Sequence, residues 1–276
     1  MNRRLTHIVA LLAILLSAAG CSNYQKLLQS NDIEKKYQAA VKYYEKEDYF
    51  RAAELLDQVT PLLTGSEKAE TALFYQAKSH YEQRAYILSD TYFRNFYSTY
   101  PRSPLAEQAM FMAVKSSYNQ SPGYEQDQAP TLVALEGIDE FLLRYPASEY
   151  TVEANQLAEE LTVKLDKKAF DNARLYHQIK YYKSAVVALT NFQQERPASP
   201  FGEEAAYLKF DSQYNYALES VPNKQEERFT EALDFYQNFV DQYPDSKYLR
   251  TAEGLYGKAI AELERIKKEK SNTENS

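Results

Sequence analysis

The chain has 276 residues and a net charge of −7, a length that allows one or two globular domains or a single solenoid. Seven Gly against 25 Tyr, with no Trp, exclude Gly-rich turns, hairpins and phosphate loops, and a single Cys excludes an intrachain disulfide. The acidic balance argues against nucleic acid, which needs a basic footprint. Dispersed acids read as solvated helix faces, and three scattered His offer no ready metal site.

The first segment reads as a secretory signal. Arg3 and Arg4 precede an apolar run from Ile8 to Leu16, which is too short to span a bilayer, a task of about 20 residues. Ser17-Ala18-Ala19-Gly20 then leads into Cys21. This junction resembles the lipobox of bacterial lipoproteins, with Ala18 where that pattern prefers Leu. The resemblance implies cleavage after residue 20 and a diacylglycerol thioether, with acyl chains such as palmitate, on Cys21. Two or three chains hold a protein to a membrane, because each buried methylene contributes roughly 0.8 kcal/mol. Ser22, not Asp, follows the Cys, which by the same resemblance implies sorting to the outer membrane. Removing the first twenty residues takes away two Arg and no acid, so the charge falls from −7 to −9.

After a linker over 21–32, helical periodicity takes over. Tyr37, Ala40, Val41 and Tyr44 form one apolar stripe, and Tyr49, Ala52, Leu56 and Val59 a second. The pattern returns 37 residues on, where Tyr81, Tyr86, Ser89, Phe93 and Phe96 stand for Tyr44, Tyr49, Ala52, Leu56 and Val59. A third step of 37 aligns Phe74 and Tyr81 with Phe111 and Tyr118. An insertion over 119–130 follows, then a second helix with Ala134, Ile138 and Phe141. A long helix is predicted from about Tyr150 to His177. Ala185, Leu189 and Phe192 mark the fourth second helix. Another insertion, over 220–228, is expected as a loop before Phe229, Ala232, Tyr236 and Phe239. A capping helix to Ile266 closes the stack, and the polar residues 267–276 are expected to be disordered.

One phrase punctuates these helices. Tyr100-Pro101-Arg102-Ser103 returns as Tyr145-Pro146-Ala147-Ser148, Arg196-Pro197-Ala198-Ser199 and Tyr243-Pro244-Asp245-Ser246. An Ala follows eight residues after each Pro: Ala109, Ala154, Ala205 and Ala252. Pro stops one helix and Ser caps the next.

A small residue, a large one four later and another apolar one three after that, on a period near 34 to 37, is similar to the tetratricopeptide repeat. The resemblance covers residues 33–266 and implies an all-α, right-handed α-solenoid of about five helix pairs with a capping helix. Repeats 1–3 would occupy 33–147, and the long helix, repeats 4–5 and the cap 148–266. Five such repeats behind a lipoprotein signal resemble the BamD family, the lipoproteins of the β-barrel assembly (BAM) machinery, and the Tyr-rich composition and the 229–243 segment look like Bacteroidetes-type members. The resemblance implies a non-catalytic scaffold that faces the periplasm. Such a scaffold docks on the POTRA domains of a BamA-like barrel subunit and helps recruit unfolded outer-membrane proteins.

Candidate binding residues follow from the repeat geometry. Tyr44, Tyr81 and Tyr118 end successive first helices and read either as platforms for an extended peptide or as packing between helices. Lys224 and Arg228 lie in the 220–228 insertion and are candidates for a partner-docking loop, since insertions in repeats often form binding faces. No catalytic constellation, cofactor or metal site appears. Glu159-Glu160, Glu203-Glu204 and Glu226-Glu227 diverge by about 100° on a helix. His80 and His177 occupy places where other repeats have Tyr and read as packing residues. The alternative function is a periplasmic repeat lipoprotein that coordinates division or peptidoglycan synthesis, although no heptad run precedes the repeats. A glycan-capture lipoprotein would need longer insertions.

Overall fold

Two aspartates open the first helix pair. The Asp32 carboxylate accepts from the Lys35 N–H at 3.0 Å and that of Asp48 from the Arg51 N–H at 3.3 Å, satisfying donors that a helix start leaves free. In the computed structural model, which describes residues 23–274, α1 runs Ile33–Glu45 and α2 Tyr49–Val59. There follow α3 (Ala69–Glu82), α4 (Tyr86–Thr99), α5 (Ala106–Gln120), α6 (Ala129–Arg144) and α7 (Thr151–Gln178). The chain continues through α8 (Tyr182–Glu195), α9 (Gly202–Leu218), α10 (Pro222–Gln242) and α11 (Leu249–Glu274). Among the described residues all regular structure is helical, as expected. The signal segment and Cys21 lie outside the described residues.

Within three pairs the chain reverses on a left-handed residue: Glu47, Arg84 and Lys180, at φ 59°, 61° and 62°. The following N–H reaches back to the carbonyl five residues earlier, Asp48 to Tyr43 at 2.9 Å, Ala85 to His80 at 2.9 Å and Tyr181 to Tyr176 at 2.8 Å. This Schellman-type closure ends one helix and aims the next antiparallel to it.

Between pairs the Pro-x-Ser phrase builds another turn. The Ser103, Ser148, Ser199 and Ser246 N–H groups donate to the carbonyls three residues back, at 3.0 to 3.1 Å. Each hydroxyl oxygen accepts from the N–H two residues on, at 3.0 to 3.4 Å. The helix proper starts one residue later, so Ser caps the turn that leads into it. Ala109, Ala154, Ala205 and Ala252 are all fully buried. A fifth copy centres on Ser66, whose hydroxyl accepts from the Lys68 N–H at 3.3 Å, with buried Ala72 at the Ala place. Thr64-Gly65 replaces its Pro-x, and Gly65 at φ 81° makes the bend.

The helices fall into two compact units, residues to 122 with 128–158, and 123–127 with 159 onward. In each, consecutive helices pack on one another. The small residues Ala52, Ser89, Ala134, Ala185 and Ala232 are all fully buried, as are Leu56, Phe93, Ile138 and Leu189 four places on. Helices approach closely where the small side chain sits, and the large one fills the neighbouring gap. The first eight residues of α7 belong to the first unit and the rest to the second.

Three expectations are corrected. The 220–228 stretch is no loop: α10 begins at Pro222, so Lys224 and Arg228 sit in its first turns. Pro at the first helical position has no N–H to leave unsatisfied, so it starts a helix readily. Residues 267–274 are not disordered but continue α11. Arg265 pairs with Glu262 and Glu269 at 2.9 and 2.8 Å, and Lys270 pairs with Glu226 of α10, and such spacings support an exposed helix. The 119–130 insertion is also shorter than expected, because α5 extends to Gln120 and α6 begins at Ala129. Its 123–127 piece packs with the second unit, where the Lys168 ammonium donates to the Gln126 carbonyl at 2.6 Å and Lys167 lies 5.3 Å from the Tyr124 ring.

Candidate functional site

Tyr44, Tyr81 and Tyr118 each occupy the last turn or so of a first helix, α1, α3 and α5, and each is half-buried. Tyr44 lies flat on Tyr75 of α3, with ring centres 3.9 Å apart and 8° between planes, and edge-on to Tyr49 at 5.7 Å. Burial first, then the neighbouring Tyr75 and Tyr49, push its hydroxyl up to about 12. Tyr81 stands edge-on to Tyr86 at 5.6 Å, with the Lys78 ammonium 5.2 Å from its ring. Burial raises its hydroxyl as well, against the opposing effect of Lys115. These phenols therefore stay neutral at any physiological pH. One face of Tyr44 is spent on packing between repeats.

Sequence reasoning missed what holds these turns in line. The Gln83 side-chain amide donates to the Tyr49 carbonyl at 3.0 Å, and that of Gln120 to the Tyr86 carbonyl at 3.4 Å. Each ties the end of a first helix to the start of the preceding second helix. The signal was present, because the 37-residue step that aligns Tyr44 with Tyr81 also aligns Gln83 with Gln120.

The two histidines do more than fill aromatic places. His80 is buried against Tyr92, with ring centres 5.3 Å apart, and its Nε2 lies 2.9 Å from Asp57 Oδ1. The Gln76 amide donates to the same oxygen at 2.6 Å. Burial raises the Asp57 carboxyl, but the bonds from His80 and Gln76 outweigh it and hold it below the ordinary value of 3.8. His177 Nδ1 lies 3.0 Å from Ser212 Oγ, and its Nε2 3.4 Å from Asp211. There burial wins and keeps the Asp211 carboxyl above its ordinary range, despite His177 and Asn215.

In the second unit, Lys224 pairs with Glu227 at 2.7 Å on the exposed face of α10. Arg228 turns inward: its guanidinium stacks 4.0 Å from the Tyr216 ring and donates to Ser220 Oγ, and its carbonyl accepts from Gln213 at 3.1 Å. Lys224 is exposed, whereas Arg228, one turn on, is half-buried by these contacts. A cleft of about 550 Å³ lies elsewhere in this unit, lined by Gln193, Arg196, Lys209, Asn238 and Tyr243 among others. Burial lowers the Lys209 ammonium from its ordinary range, with Phe235 4.7 Å away. Among the described residues no three metal-binding side chains cluster, and no helix is long and apolar enough to cross a membrane.

The family model described as YfiO, outer membrane lipoprotein, matches residues 29–186, which is more than half of the chain. The chain belongs to this family of outer membrane lipoproteins. It is also similar to the outer membrane protein assembly factor BamD of Caulobacter vibrioides, at 23% identity over 150 residues, 53% of this chain and 49% of that protein. The chain thus spans about half the length of that curated relative. The likeness to BamD expected from the repeats and signal is therefore confirmed at the level of the family. The match takes in α1 to α7 and the start of α8, and leaves α9 to α11 outside.

Proposed function

We propose that this chain is a non-catalytic scaffold lipoprotein of outer-membrane protein assembly, held by lipid on Cys21 at the periplasmic face of the outer membrane. Its second unit docks on the POTRA domains of a BamA-like barrel subunit, and its first unit receives extended segments of unfolded outer-membrane proteins. The observation that carries this reading is the family match over residues 29–186, supported by the assembly factor BamD among its relatives. The architecture suits the role. Stacked helix pairs offer long surfaces for an extended partner, and tyrosines present an apolar ring with a polar tip at little entropic cost. In the second unit, the cleft beside Lys209 fits an acidic or amide side chain of a partner.

The test is affinity purification from detergent-solubilised membranes with a tag after Ser276, read by mass spectrometry. A barrel protein with POTRA domains in stoichiometric amount is expected. Recovery of division or peptidoglycan proteins without it would sink this reading.

A further inference from the structure

The first unit carries an apolar row that its own core does not use. The residue two places before each buried small residue is Phe50 in α2, Ile87 in α4 and Leu132 in α6, exposed to 67%, 71% and 52%. Leu88 and Val133, one place on in α4 and α6, are exposed as well. Ile87 and Leu88 line a shallow cavity with Pro130, which places the start of α4 beside the start of α6. The Gln83–Tyr49 and Gln120–Tyr86 bonds hold the starts of the second helices in register. In the second unit the same position holds Lys183 in α8 and Thr230 in α10. The exposed apolar residues of that unit, such as Ile179 and Tyr181 in a turn and Val187 within α8, fall at other positions. An exposed apolar set of this kind marks a surface that is covered in use.

The start of the described chain says what covers it. Tyr24 is buried in the core of the first unit, its hydroxyl donating to Glu54 of α2 at 2.5 Å and its ring 5.2 Å from the Arg51 guanidinium. Arg51 adjoins Phe50 in the first turn of α2. Cys21 stands three residues before Tyr24, a reach of at most about 10 Å for an extended chain. Acyl chains on Cys21 therefore enter a bilayer whose surface lies close to the first turn of α2.

We infer that the starts of α2, α4 and α6 form a membrane-contact edge, with Phe50, Ile87 and Leu132 immersed in the lipid interface. The inference rests on the lipidation of Cys21 set out above. Arg84, exposed beside the start of α4, borders the edge and suits a headgroup region, where long basic side chains keep the charge in water and the stem in the apolar layer. The edge sets the protein's orientation on the membrane, which a flexible tether alone would leave free.

The test uses the full-length lipidated protein in phosphatidylcholine vesicles at low protein-to-lipid ratio. Cys21 carries the lipid, so Phe50→Cys, Ile87→Cys and Leu132→Cys each offer one thiol for a nitroxide. Leu143→Cys, at the far end of α6, and Lys183→Cys serve as references. Collision with an aqueous nickel chelate is expected to fall about five-fold or more at 50, 87 and 132 on vesicle binding, with collision by lipid-dissolved oxygen retained. The two references should stay fully open to nickel. Nickel access unchanged at the three sites, with lipid on the N-terminal peptide by mass, overturns the edge and leaves the anchor standing. Loss of both nickel and oxygen access means cover by a second copy of the chain and also overturns it. An N-terminal peptide without lipid overturns the edge and the anchor together.

Discussion

The hydroxyl of Ser103 donates to a carboxylate oxygen of Glu70, thirty-three residues earlier in the first turn of α3. Ser246 makes the same bond to Glu203 in the first turn of α9, at 2.6 Å. The serine that caps the turn between repeats is thus clasped by the preceding repeat. A charge-assisted bond of this type contributes about 1.5 to 3 kcal/mol when well shielded and less at a half-exposed site. Glu70→Gln and Ser103→Ala are each expected to lower stability by about 1 kcal/mol, and the double variant by clearly less than the sum. Urea unfolding of the four proteins measures this, and additive losses would show that the two residues act independently.

Tyr44 contributes by its ring, not its hydroxyl. Stacking on Tyr75 and the edge contact with Tyr49 survive in Tyr44→Phe, so its stability should stay within about 0.5 kcal/mol of the parent. Tyr44→Ala removes both contacts and should cost about 3 kcal/mol. If Tyr44→Phe nonetheless weakens binding of an extended outer-membrane peptide, measured by anisotropy, the hydroxyl faces the client.

Gly202 begins α9 under the Tyr243 hydroxyl. A Cβ there would stand 2.8 Å from that oxygen and 3.9 Å from the ring carbon that bears it. Gly202→Ala is therefore expected to destabilise by about 1 kcal/mol through displacement of the ring. In a Tyr243→Phe background the same change should become neutral or stabilising, since Ala suits a helix better than Gly. Thermal melting of both pairs checks the sign reversal.

Lys180 holds φ 62° on an exposed turn. Glycine adopts this region without strain, so Lys180→Gly should stabilise by roughly 0.5 to 1 kcal/mol, whereas Lys180→Ala should not. Equilibrium denaturation separates the two, and equal effects would mean that the turn carries no backbone strain.

Asp57 should supply part of the acid sensitivity of the first unit. Its folded carboxyl titrates below the unfolded value of 3.8. Its contribution is therefore complete above that value and is lost as pH falls through the folded pKa. Asp57→Asn is expected to lower stability at neutral pH and to flatten the acid limb below about pH 4. An unchanged limb, followed by urea midpoint against pH, would assign the acid transition to other carboxylates.

The repeat pattern alone placed the crossing point of each paired helix, because small and large apolar side chains must recur wherever helices cross. Ala52, Ser89, Ala134, Ala185 and Ala232 were legible for that reason, and all five are buried. The Pro-x-Ser phrase marked the turns between pairs, except at Ser66, where Thr64-Gly65 makes the bend by a left-handed glycine that no proline announces. The 220–228 stretch and the tail misled because polar, charged residues read alike in a loop and on a solvated helix. Ion pairs such as Lys270–Glu226, which join residues far apart in sequence, exist only once α10 and α11 have packed. The tyrosines of the candidate site were found by their 37-residue step. That Tyr44 gives one face to Tyr75, that Arg228 turns inward under Tyr216, and that Phe50, Ile87 and Leu132 stay uncovered were decided by tertiary structure. A side chain's period names its helix face, but only the packed neighbours determine whether that face meets protein or solvent.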